Sequence, residues 1–230
     1  MAFTIGMLIF ENMTNLDFAG PADVFARVAD ATTVVLAKTT DPVRTDSGGR
    51  VLPAVALRDA PELDLLFVGG GPGTLGLMED AEVLDFLRER APHAQWITSV
   101  CTGALVLGAA GLLRGHRATT HWNAMDLLPI FGAHPVNERV VIDRNRITGG
   151  GVTAGIDFAL TVVARLWGDD RAQLIQLGSE YNPAPPFNAG SPDVAPPHLV
   201  AQFRARTQGL SEKRVRAAQR AAGLLPPSTA

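Results

Sequence analysis

The chain has one cysteine among its 230 residues. That excludes an internal disulfide, and a lone thiol suits a reducing compartment, so the expected location is cytoplasmic. A strong charge of one sign is also missing. Its 20 basic and 23 acidic side chains leave a net charge of −3, which offers no case for nucleic acid as a partner. No apolar run reaches the ~18 residues that a membrane helix needs, so no membrane partner is expected. The start, Met1-Ala2-Phe3-Thr4-Ile5, lacks the basic stretch of a signal peptide. No cluster of side chains has metal-ligand spacing, so no metal or other cofactor is expected. Apolar residues make up 47% of the chain, enough for the core of one large domain, with or without a small appendage.

The one cysteine sits where the pattern changes. Trp96 to Val100 reads as a short buried strand, and Ala104 to Ala110 as a helix of small and apolar residues. A strand that turns directly into a helix bends sharply at the junction. The residue there, Cys101, faces free N–H groups and the positive end of the helix dipole. A thiol so placed is expected to be acidified and nucleophilic, in the manner of the nucleophile elbow. The plainer reading is a small buried hydrophobe, the commoner fate of a free cysteine.

Phe3 to Ile9 reads as the first buried strand, followed by a polar loop and a helix from Ala22 to Val28 with Pro21 at its start. Asp17 would then lie in the loop at the C-terminal edge of the sheet, where open α/β folds carry their sites, either as a helix cap or as an acid. Thr32 to Ala37 and Leu63 to Val68 read as further strands, with a β-excursion over 41–53 between them. The loop Gly69-Gly70-Gly71-Pro72-Gly73 lacks the signature of a phosphate or dinucleotide loop. It is either a tight turn or a place where backbone N–H groups approach a ligand. Asp80 to Arg90 reads as a helix, Arg117 to Thr120 as a short strand, and Asn123 to Phe131 as a helix broken by Pro129. Arg139 to Asp143 and Arg146 to Thr148 read as a hairpin. A second glycine turn, 149–155, leads into an apolar helix, Ile156 to Trp167, and Asp169 to Tyr181 into another. Prolines at 183, 185, 186, 192, 196 and 197 mark an arm. A last helix, roughly His198 to Ala222, carries Lys213, Arg214, Arg216 and Arg220 on what reads as a solvated face. Strands alternating with helices imply an α/β fold with a mostly parallel sheet covered on both faces.

Four segments in this order are highly specific: Gly69 to Gly73, Ser99-Val100-Cys101-Thr102-Gly103-Ala104, Ala118-Thr119-Thr120-His121-Trp122, and Gly150 to Asp157. With them the chain, over residues 3–182, resembles the ThiJ/PfpI superfamily. Asp17-Phe18-Ala19-Gly20-Pro21 and the proline-rich stretch from Tyr181 to Pro192 are most similar to the isocyanide hydratases of that superfamily. The resemblance implies a flavodoxin-like fold related to class I glutamine amidotransferases, a homodimer, a nucleophilic Cys101 and an acidic partner, Asp17. It departs from the peptidase-like members in carrying Thr102, not His, directly after the cysteine.

The expected organisation is an α/β catalytic domain over 1–182 and an arm with a helical extension over 183–230, packed on the same domain or on a dimer partner. The expected chemistry is hydration of a small-molecule isocyanide to an N-formamide. Cys101 adds to the terminal carbon, Asp17 supplies a proton to nitrogen or carbon, and water then resolves the thioimidate. Backbone N–H groups of Gly71 and Thr102 are candidate donors to the carboxyl, the substrate or the water. The Thr102 hydroxyl either meets the reacting groups or caps its helix. Gly70, His121, Trp122, Gly150 and Val152 are candidate pocket residues, with His121 more readily packed against Trp122 than catalytic. The rival readings are a ligand-sensing module like the amidotransferase half of AraC-type regulators, another enzyme of the superfamily such as a glyoxalase, and a cysteine redox sensor.

Overall fold

A computed structural model describes residues 2–225. Seven strands form one sheet in the order β10-β11-β7-β6-β1-β2-β5. In chain order the elements are β1 (Phe3–Leu8), α1 (Asn15–Phe25), β2 (Ala31–Ala37), the small antiparallel pair β3 (Val43–Arg44) and β4 (Arg50–Val51), and β5 (Val55–Ala56). Then come β6 (Leu65–Val68), α2 (Thr74–Leu77), α3 (Ala81–Arg90), β7 (Trp96–Val100) and α4 (Gly103–Ala109). The pair β8 (Arg117–Ala118) and β9 (His134–Pro135) brackets a 3-10 segment, Trp122–Phe131. The hairpin β10 (Val140–Asp143) and β11 (Arg146–Gly149) follows, then α5 (Ala154–Trp167), α6 (Asp169–Gly178) and α7 (Pro197–Gly223). Every neighbouring pair in the main sheet is parallel except β10 with β11. This is the mostly parallel, doubly covered α/β architecture that the strand and helix pattern implied.

Side chains along a strand point alternately to opposite faces, so a strand covered on both sides must be apolar throughout. β6 shows this residue by residue. Leu65 and Phe67 enter one core with Ile5, Met7 and Phe158. Leu66 and Val68 enter the other with Leu36, Ile97 and Leu105. Helices α1, α5 and α6 cover the first face, and α3, α4, the 3-10 segment and α7 the second. Ala217, Ala218 and Ala221 of α7 are buried in that second core, so the C-terminal helix is built into the same body as the sheet. Residues 226–230 of the expected extension lie outside the described residues.

The structure departs from the sequence reading at α1. The helix begins at Asn15, not Ala22, and Pro21 lies inside it. Proline has no N–H, so the bond to the Asp17 carbonyl four residues back is missing. The helix continues because α1 and α5 cross closely at that point: a Cβ added at Gly155 would lie 3.1 Å from Pro21 Cδ, and one at Gly20 3.2 Å from Ile156 Cγ1. Tertiary packing overrides the proline signal, and Asp17 moves from a loop into the first turn of a helix. Other boundaries also shift. The segment before Phe131 is 3-10, not α, and continues through Pro129 to a left-handed cap at Gly132. β8 stops at Ala118 and α6 at Gly178, three residues short of Tyr181.

Candidate active site

The C-terminal ends of β1, β6, β7 and β11 lie side by side: Leu8 pairs with Val68, Val68 with Ser99, and Val100 with Gly149. The segments leaving these ends converge on Cys101. That residue has φ +52, a left-handed conformation that costs a side chain of L configuration roughly 1–2 kcal/mol. Its surroundings hold it there. The Cys101 N–H is shared between the carbonyls of Gly149 and Gly150, at 3.0 Å each. The turn into α4 is possible because its neighbours lack Cβ atoms: one on Gly103 would stand 2.2 Å from the Val68 carbonyl oxygen, and one on Gly70 would stand 2.5 Å from the Thr102 nitrogen.

Asp17 is fully buried. Its Oδ2 accepts the Gly70 N–H at 3.0 Å, while Oδ1 is buried with no hydrogen-bond partner of good geometry. The Cys101 thiol and this carboxyl face each other closely enough that each affects the other's proton. Burial pushes Asp17 from 3.8 up to about 7, against the opposing pull of the thiol and of the Gly70 N–H. Burial, followed by the neighbouring carboxylate, pushes the Cys101 thiol well above its ordinary range, while the Thr102 N–H and Arg214 pull it down. The shift thus runs opposite to the acidified thiol expected from its place at a helix N-terminus. Desolvation beside an acid outweighs the helix end. The structure instead sets a thiol raised by burial against a carboxyl pushed up to about 7.

The other anticipated residues divide. The Gly71 N–H is not free for a substrate, because it donates to Thr102 Oγ1 at 3.0 Å. The Thr102 hydroxyl is locked between Gly71 and Thr74 and makes no helix-capping bond, whereas its N–H faces the sulfur. The N–H that donates to the Asp17 carboxyl is that of Gly70, outside the two candidate donors Gly71 and Thr102. Gly150 holds the elbow through its carbonyl. Val152 is half-buried in the following turn. The nearer neighbour is Gly151, where a Cβ would lie 3.2 Å from Cys101 Sγ and 2.4 Å from His121 Cδ2. His121 stacks on Trp122 at 5.7 Å and on Phe203 of α7 at 6.3 Å. Burial, then Arg214, lowers it to about 4, and its Nδ1 accepts the Asn123 N–H at 3.2 Å. Its ring is neutral at ordinary pH and walls one side of Gly151.

His121 and Trp122 also line a cavity of about 270 Å³, together with Gly190, Pro192 and Phe203. The proline-rich arm thus forms one side of this cavity. Among the described residues no three His, Cys, Asp or Glu side chains converge as a metal-binding set, and no helix is long and apolar enough to cross a membrane. Sequence reasoning missed Arg214. It was assigned to a solvated face but is only 8% exposed. Its apolar neighbours at 217, 218 and 221 recur at helical spacing with it, and that was the available signal.

Residues 4–165 match the model of the DJ-1/PfpI family. The chain is 51% identical to an isonitrile hydratase of Pseudomonas putida, over 98% of this chain and 99% of that protein. It is 45% identical to a ThiJ/PfpI family protein of Pseudomonas syringae whose crystal structure superposes with a TM-score of 0.93, covering 95% of this chain and 91% of that one. A transcriptional regulator of Pseudomonas aeruginosa, CdhR, is 34% identical over 64% of this chain but only 44% of its own length.

Proposed function

This chain belongs to the DJ-1/PfpI family, and from that premise we propose that it is an isocyanide hydratase, converting R–N≡C and water into the N-formamide R–NH–CHO. The full-length likeness to the isonitrile hydratase carries this reading. A buried carboxyl held against the one thiol supports a mechanism for it.

In that mechanism the thiol proton passes to Asp17 as the sulfur bonds to the terminal carbon of the isocyanide. Asp17 returns the proton to the same carbon, giving the thioimidate R–N=CH–S–Cys101. Water then adds across C=N: oxygen bonds to carbon while Asp17 relays a proton to nitrogen, giving R–NH–CH(OH)–S–Cys101. Collapse breaks the C–S bond, the hydroxyl proton returns to sulfur by way of Asp17, and the formamide leaves. A carboxyl near 7 suits both halves, because it accepts and donates at neutral pH, and such help is worth ~10²–10⁴ in rate. The Gly70 N–H fixes the carboxyl, and the Thr102 N–H faces the sulfur that carries charge in the first and last steps. The isocyanide group is linear and slim, which suits a cysteine only 4% exposed. The R group would occupy the cavity beside His121 and Trp122.

The working chain is further proposed to be a cytoplasmic homodimer, its catalytic unit spanning 1–182 and residues 183–230 serving as an arm and covering helix. Exposed apolar side chains such as Phe187 (79%) and Leu177 (78%) suit burial by a second copy. Sedimentation of the purified protein tests the oligomeric state.

The deciding assay follows formamide production from a simple alkyl isocyanide. Wild type is expected to turn over, and Cys101→Ala to be inactive. Intact mass after rapid quenching is expected to show the substrate mass added at Cys101. Wild-type hydration by Cys101→Ala overturns the covalent route. Consumption of glyoxal in place of isocyanide by wild type moves the chain to the glyoxalase reading.

A further inference from the structure

Arg214 is buried without a partner of its own. Its Nε makes no hydrogen bond, and among the described residues no carboxylate pairs with it; the charge that acts on it is that of Cys101. A buried cation is costly unless an opposite charge compensates it, and arginine does not escape the cost by losing its proton. Its location answers the question of which charge. On α7, residues 203, 207, 211, 214, 218 and 221 recur at intervals of three and four and so share one face. Phe203 stacks on His121, and a side chain on Gly151 would touch both His121 and Cys101 Sγ. Two turns and one turn before Arg214, Asn123 Nδ2 donates to Thr207 Oγ1 at 3.1 Å and to Ser211 Oγ at 3.3 Å, which fixes the helix against the 3-10 segment. Ala217, Ala218 and Ala221 anchor the next turns in the core.

We propose that Arg214 is a positioning residue for the reactive thiol: its guanidinium is the resident counter-charge for the thiolate that Cys101 becomes when its proton leaves, and α7 packs over the elbow to deliver it. This rests on Cys101 being the reactive thiol and not on the identity of the substrate.

The titratable and charged groups around the sulfur come from three directions. Asp17 reaches it from α1, Arg214 from α7, and His121 from the turn into the 3-10 segment; Asp46, in the β3–β4 loop, acts on Asp17. His121 is neutral at ordinary pH, so Arg214 is the cation that acts on the thiol. When the proton leaves the sulfur the negative charge develops there, and a fixed cation facing the thiol stabilises it without having to reorganise.

The test uses the full chain and a neutral reagent. Because the chain has one cysteine, intact mass reads alkylation by iodoacetamide at Cys101 alone. Arg214→Met keeps the length and removes both the charge and the cost of burying it, and the thiol facing it stays neutral by keeping its proton. Circular dichroism and Tm are therefore expected to be preserved. Alkylation at a fixed pH near 7.5 is expected to slow about tenfold or more, the effect of raising a thiol pKa by roughly one unit or more. Its pH profile should shift upward, and kcat for an alkyl isocyanide should fall with KM little changed. Arg214→Lys is expected to recover most of both rates, and Arg214→Gln serves as a second neutral replacement. A folded Met or Gln variant with the wild-type alkylation profile overturns the proposal. If wild type fails to hydrate any isocyanide but the alkylation shift appears, the substrate assignment falls and the role of Arg214 stands.

Discussion

Thr120 Oγ1 donates a 2.6 Å hydrogen bond to the carbonyl of Cys101. The bond closes the turn that the left-handed φ of Cys101 opens, tying the elbow to the strand-like segment after β8. Its partners are buried, so Thr120→Val leaves a buried carbonyl with only a long, 3.4 Å bond from the Ala104 N–H. Stability is expected to fall by about 1–3 kcal/mol, read as a lower urea midpoint with an unchanged slope. An unaltered midpoint shows that the elbow is held without this bond.

Gly70→Ala is expected to damage the site more than the fold. The new Cβ would lie 2.5 Å from the Thr102 nitrogen and 2.7 Å from Cys101 Cβ, so backbone must move at the point where Gly70 also holds the Asp17 carboxyl. Overpacking of this kind costs ~1–3 kcal/mol, and isocyanide turnover should drop at least tenfold. Gly76→Ala is the control: nothing lies within 4 Å of its added Cβ, and activity and Tm should stay at wild-type values or rise slightly.

Asp17→Asn separates catalysis from stability. Turnover is expected to fall ~10²–10⁴-fold. Stability should move the other way, and increasingly so with pH. The folded protein holds the Asp17 proton up to about pH 7, while the unfolded chain releases it near 3.8. Between those values the native state binds more protons, so wild-type stability declines as pH rises, and the decline is complete above 7. The variant lacks this loss. In urea titrations at about pH 4 and pH 8, its advantage should grow with pH, by at most roughly 4 kcal/mol. An advantage that shrinks with pH would show the carboxyl to be ionised and stabilising.

His121 works in the opposite sense. Its folded pKa is about 4 against an ordinary 6.5, so over that window the unfolded chain binds the proton and the native state does not. Stability is lost as pH falls from 6.5 to 4. His121→Phe preserves the stack on Trp122 and Phe203 and is expected to flatten the acid limb. His116, also held low by burial, keeps its share, so the slope is reduced and not abolished. A slope identical to wild type places the acid sensitivity elsewhere.

Local pattern carried far where local interactions decide the outcome. The strand Trp96–Val100 emerges with the boundaries that its apolar run indicates, and Asp80 caps α3 by accepting the Val83 N–H. Local rules failed at Pro21, whose usual place at a helix start hid a helix already running from Asn15. They failed again at Arg214, because a charge run along a long helix looks solvated until a neighbouring surface is laid against one stripe of it.

The alternation of strands and helices, the apolar faces of the sheet, the glycines that permit tight turns, and the single thiol at a strand-to-helix junction are all legible in the order of residues. These follow from periodicity and backbone sterics acting within a few residues. The direction in which that thiol's proton affinity moves, and the company it keeps, come from the folded chain. Asp17 stands 84 positions before Cys101 and Arg214 stands 113 after it, so their meeting depends on long-range chain crossings. Their charges are set by how completely those crossings exclude water, a quantity that no stretch of the chain possesses alone.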